Sequence, residues 1–176
     1  TGVMSSTFFE KAGGLSPSML VRKFRGDDEE TAPAPRLDLR VKIAYAISGQ
    51  AIAITDRPGD IAHLGKETIS GVGLCLDIFN EGDDAVTITE VGLVGRFESP
   101  QLAVHEPLLH DNKPWPRTLQ PGERVIAHMA SDLGLHPVLA SLRRCYVRTD
   151  NDALVHANGS TALRYYIKQM KKRGRA

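Results

Sequence analysis

GVGLCLDIFNEGDDAVTITEVGLVGRF, residues 71–97, decides the fold. Leu74, Leu76 and Ile78 alternate with Cys75 and Asp77, and Val86 and Ile88 alternate with Thr87 and Thr89. Between the two runs lies Asn80-Glu81-Gly82-Asp83-Asp84, rich in residues that favour turns. Side chains on a strand point to opposite faces in turn, so the pattern predicts two antiparallel strands joined by a tight loop. The second run changes phase. After Val86 and Ile88 the next inward position would be Glu90, yet the apolar residues are Val91 and Leu93. One extra residue, a β-bulge near Thr89–Val91, would return them to the inner face.

The same period extends outward. Leu37, Leu39, Val41, Ile43, Tyr45 and Ile47 alternate with Arg36, Asp38, Arg40, Lys42, Ala44 and Ala46, which predicts a long strand with one charged face. Shorter strands are expected at Ala51–Thr55, around Leu102 and Val104, over Arg124–Ala130, over Arg143–Thr149 and over Leu154–Ala157. Turns are expected at 48–50, 57–60, 119–123 and 150–152, and loops over 63–70 and 108–116. Ser131-Asp132 can open a short helical turn, and Pro137 a second. After 158 the period becomes helical. Leu163, Tyr166, Ile167 and Met170 fall on one face, with Ser160 as N-cap. Seven to nine short strands separated by Gly, Pro and Asp turns predict an all-β, antiparallel β-sandwich over 36–158. A basic C-terminal helix follows over 159–176, and an extended N-terminal arm precedes the sandwich over 1–35.

With 176 residues, 41% hydrophobic, the chain can bury one domain core. A net charge of +1 gives no overall attraction to nucleic acid or to a membrane. The apolar runs are too short to span a bilayer, and the first residues lack the layout of a signal peptide. Cys75 and Cys145 stand 70 residues apart, like an inter-sheet disulfide, with Trp115 between them. If Leu74, Leu76 and Ile78 face the core, Cys75 faces away, and two unpaired thiols fit a reducing compartment.

Catalytic chemistry finds little purchase. His105-Glu106-Pro107-Leu108-Leu109-His110 approximates a zinc-protease motif, but the histidines are five apart and Pro107 interrupts any helix between them. A loop could still bring His105, His110 and Asp111 onto a metal, which leaves a metal-dependent hydrolase as a remote alternative. There is no nucleophile elbow and no phosphate-cradling loop. No catalytic residue, resident metal or cofactor is therefore expected.

Interaction surfaces are better marked. Phe8, Phe9, Met19, Leu20 and Phe24 give the arm apolar anchors that a purely solvated tail would lack. The C-terminal helix carries Arg164, Lys168, Lys171, Lys172, Arg173 and Arg175 and no acid. Such a face can meet an acidic protein or contact nucleic-acid phosphates weakly, or it can merely complement the helix dipole. Trp115, between Pro114 and Pro116, could serve as a stacking platform, so a small ligand- or carbohydrate-binding module is the second alternative.

The residues from Ile78 to Leu93, a strand ending in Asn80, then a turn, then Val86-Thr87-Ile88 and Val91-Gly92-Leu93, resemble a widespread immunoglobulin-like pattern. Leu119-Gln120-Pro121-Gly122-Glu123 is similar to the turn before the next strand in such domains. Similar domains occur among minor capsid, decoration and neck proteins of tailed bacteriophages. The resemblance spans about 70–157. It implies a non-enzymatic structural protein of the virion, attached through its terminal segments to other structural proteins or to copies of itself. Its location would be the virion, or the cytoplasm before assembly.

Overall fold

The computed structural model describes residues 34–48, 52–62, 64, 69–129, 131–157 and 161–174. The chain divides after Ala34, and Pro35–Ala176 forms one compact unit. Phe8, Phe9, Met19, Leu20 and Phe24 lie outside the described residues, as does Ser160.

The predicted alternation produces two antiparallel sheets. In the first, β1 (Leu37–Ile47) pairs with β2 (Ile52–Thr55) on one side and with β3 (Ile69–Asn80) on the other. The sheet continues through β8 (Arg124–His128) to the two-residue β6 (Leu108–Leu109), in the order β2-β1-β3-β8-β6. The second sheet runs β10 (Leu154–His156), β9 (Leu142–Thr149), β4 (Val86–Gly95), β5 (Gln101–Val104). The short β7 (Arg117–Leu119) pairs with the start of β4 and β5 with its end. A four-residue turn, α1 (Gly59–Ala62), and 3-10 turns at Ser131–Leu135 and Leu139–Ser141 connect strands. The chain closes with α2 (Thr161–Arg173).

The inner faces share one apolar core. Leu39, Val41 and Ile43 of β1 oppose Ile78, Leu76 and Leu74 of β3, while Val91 and Leu93 of β4 oppose Val147 and Cys145 of β9. The bulge sits where the phase change places it. Ile88 pairs with Thr149 and Glu90 with Arg148, so Thr89 is left without a partner in the ladder. Val91 and Leu93 are consequently buried.

Two readings need correction. Residues 108–116 are expected as a loop, yet they contain β6, and no strand is expected at Arg117–Leu119, where β7 reaches into the turn expected at 119–123. Runs of two and three residues are too short to show a period. The segment 57–60 was expected only as a break, and it opens α1, whose Ile61 is buried in the core.

Asn80 joins the two turns that the sequence singles out. It is fully buried. Its amide nitrogen donates to the carbonyls of Asp84 (2.8 Å) and Leu119 (3.0 Å), and its Oδ1 accepts from the Gly82 N–H (2.9 Å). Its backbone N–H donates to Glu123 O, and its carbonyl accepts from the Gly122 N–H, both at 2.9 Å. Gly122 holds φ +79°, a left-handed conformation that costs glycine little. Asn80→Ala would leave the buried Leu119 carbonyl unpaired, which costs roughly 1–3 kcal/mol, and would free the partly buried Gly82 N–H and Asp84 carbonyl at a smaller cost. Thermal unfolding of Asn80→Ala should show a loss of about 2–4 kcal/mol. A change below about 0.5 kcal/mol would show that Asn80 does not tie these turns together.

Candidate functional site

α2 is amphipathic, and its apolar side is spent on the body. Leu163, Tyr166 and Ile167 are buried, and Met170 packs against the same core. The helix lies against β1, β3, β9 and the 3-10 turn at Ser131–Leu135. This satisfies the stripe of apolar residues, and it leaves the opposite face to solvent. Arg164, Lys168 and Lys171 follow one another at four and three residues, so they line one ridge. All three are exposed.

That ridge borders a groove of about 360 Å³ lined by Ala140, Arg143, Arg164, Ile167, Lys168 and Lys171. Arg143 is anchored from the other wall. Its guanidinium donates to the carbonyls of Ala140 (2.7 Å) and Leu142 (2.9 Å). Four cations thus surround an apolar floor, and no carboxylate lines the groove. None of the ion pairs among the described residues uses Arg143, Arg164, Lys168 or Lys171. Lys172 and Arg173 are exposed in the last turn, where positive charge favours the helix dipole, and they do not line the groove. Arg143 was not singled out by sequence. It sits at the start of a strand, and only the fold brings it to the helix.

The other sequence candidates are placed differently. Trp115 is half-buried and packs against the core. His105, His110 and Asp111 do not form a metal group, and no cluster of three or more His, Cys, Asp or Glu suited to a metal occurs among the described residues. Asp111 is already engaged, with Oδ2 2.9 Å from Arg117 and Oδ1 accepting from the Lys113 N–H.

Both cysteines are free and fully buried. Cys145 lies in the core. Cys75 lies on the outer face of the first sheet, as its phase requires, between its register neighbours Lys42 and His128. Its thiol donates to the Lys42 carbonyl at 3.5 Å. Burial pushes both thiols up to about 12, so neither is a thiolate near neutral pH. Beside Cys75, Asp77 is almost fully buried and meets Lys42 Nζ at 2.8 Å. Arg124 Nε lies 3.2 Å from its Oδ1, close enough for an ion pair but without a directed hydrogen bond.

On the outer face of the second sheet Tyr146 is fully buried across Gly92, where an added Cβ would fall 2.6 Å from the Tyr146 hydroxyl. That hydroxyl donates to Glu90 Oε1 (2.6 Å) and accepts from Gln101 Nε2 (2.8 Å). Burial first, and the hydrogen bond to Glu90 second, push Tyr146 up to about 12.

Among the described residues no helix is long and apolar enough to cross a membrane. No family model, curated protein or solved structure matches the chain.

These burials give two expected outcomes. A thiol reagent at about pH 8 should leave both cysteines of the native chain unmodified over minutes and label both in urea. Rapid native labelling would contradict the burial of the thiols. Spectrophotometric titration should show a tyrosine ionising near 12 that disappears in Tyr146→Phe. An unfolded tyrosine ionises near pH 10. The unfolded chain therefore loses this proton first, and the stability held by neutral Tyr146 is present below about pH 10 and lost between 10 and 12.

Proposed function

We propose that this protein is a non-enzymatic assembly module, an immunoglobulin-like sandwich that binds an acidic surface of a structural protein through the groove beneath α2. The observation that carries this reading is the convergence of Arg143, Arg164, Lys168 and Lys171 on one groove without an acidic counterpart. In the virion setting that the resemblance implies, the partner is another structural protein or a second copy of the chain.

The charge count favours a protein over nucleic acid. Four cations are fewer than the six to ten phosphate contacts, roughly, of a committed DNA-binding surface. A net charge of +1 adds no long-range attraction to a polyanion. The apolar floor formed by Ile167 and Ala140 suits a side chain better than a sugar–phosphate backbone.

Labelled polyglutamate and a duplex DNA of equal charge serve as defined probes for the full chain. Polyglutamate should bind at low salt, weaken severalfold between about 50 and 200 mM salt as screening sets in, and lose about tenfold or more in Arg164→Glu/Lys168→Glu. Equal binding by the double variant would remove the groove as the site. Tighter binding of the DNA would replace the protein partner by nucleic acid.

A further inference from the structure

His110 and His128 are not neighbours in sequence, yet the fold brings their rings together at a tilt. His110 follows β6, and its backbone N–H donates to Ile126 O at 2.8 Å. His128 ends β8 and pairs in register with Leu108. Both side chains therefore project from the same outer face of the first sheet. His110 Nδ1 and His128 Nε2 stand 3.2 Å apart, with ring centroids at 5.5 Å and planes inclined by 32°. A single hydrogen bond between two neutral rings accounts for that distance when one nitrogen carries the proton. A shared metal accounts for it as well. Metal–imidazole bonds of about 2.0–2.1 Å place two nitrogens about 2.9 Å apart at a right angle and about 3.4 Å apart at the tetrahedral angle. The observed spacing falls between those limits.

We propose that His110 and His128 form a two-imidazole site for a late first-row divalent ion such as Cu²⁺, Ni²⁺ or Zn²⁺, completed by water. Imidazole pairs with open positions suit these ions, and Cu²⁺ should bind best of the three. The candidate third ligands are already committed. Asp111 is held by Arg117 and by the Lys113 N–H, and the Cys75 thiol donates to the Lys42 carbonyl. His110 is exposed and His128 half-buried, so the remaining positions open to solvent. No hydrogen-bond partner holds the second nitrogen of either ring among the described residues, so the site lacks the support that makes metal sites tight. The bound ion would pin the two-residue β6 to β8, and it would stabilise the folded chain by mass action.

The test uses tag-free full-length protein at about pH 7.5. Calorimetric titration with Ni²⁺ should show one ion per chain, weakened about tenfold or more in His110→Gln and in His128→Gln and unchanged in His105→Gln. The Cu²⁺-loaded protein should give a paramagnetic resonance spectrum with two equatorial nitrogens, and Ni²⁺ should raise the melting temperature of the wild type but not of His110→Gln. His110 is exposed, so that variant should fold. Binding only at millimolar metal, equal binding by His110→Gln, or a copper spectrum with fewer than two nitrogens would each overturn the proposal.

Discussion

A buried side-chain amide holds the architecture in register. Asn80 ends β3 at the point where the chain must leave one sheet for the other. The turns on either side are largely exposed, but the backbone groups that face Asn80 lie where neither sheet can satisfy them, and an unpaired group there is costly. Asn80 resolves this with three side-chain hydrogen bonds, to Gly82, Asp84 and Leu119, and with its own backbone held by Gly122 and Glu123. Leu119 belongs to β7, which pairs with β4, while β8 begins at Arg124 and pairs with β3. One residue therefore couples a strand of each sheet through the turns between them. Few other side chains could do so, because the position needs two donors and an acceptor in a small volume.

The outer faces obey a related constraint. β3 lies between β1 and β8, so residues on its outer side have strands on both flanks and lose much of their water. Asp77 is tolerated there because Lys42 and Arg124 come from those two strands. Arg117 presents the converse case, a nearly buried cation met by Asp111 at 2.9 Å, with Glu123 farther off at 3.9 Å. Such pairs contribute little net stability compared with apolar packing, but removing one partner would leave a charge in a poor solvent. They therefore fix which residues must sit opposite one another more than they strengthen the fold.

This distinction explains what the sequence discloses. Period-two alternation reports which face of a strand is apolar, so the long strands, the outward phase of Cys75 and the bulge at Thr89 were legible from residues 37–47 and 71–97. It does not report how deeply the polar face is covered, and Cys75 is fully buried although it points away from the core. β6 and β7 are too short to carry a period, and their pairing depends on partners far away in sequence. The meeting of His110 with His128 depends on β6, so no local spacing could have signalled it. The spacing from His105 to His110 pointed to a cluster within one loop, whereas the partner comes from the adjacent strand.

The groove beneath α2 follows the same logic with the opposite outcome. The helical period of Leu163, Tyr166, Ile167 and Met170 dictated that one face be buried, and so which charges would remain outside. What the period could not supply was the facing wall. Arg143 is the second residue of β9, just after a 3-10 turn, and its guanidinium is clamped to the carbonyls of Ala140 in that turn and of Leu142. A clamped guanidinium has already lost much of its side-chain freedom, so engaging an anion costs it less than it costs the free lysines across the groove. The two walls of the groove are thus unlike, a clamped Arg143 on one side and the exposed ridge of α2 on the other. A merely solvated basic helix would have no such facing wall, so the asymmetry comes from the fold and not from the helix alone.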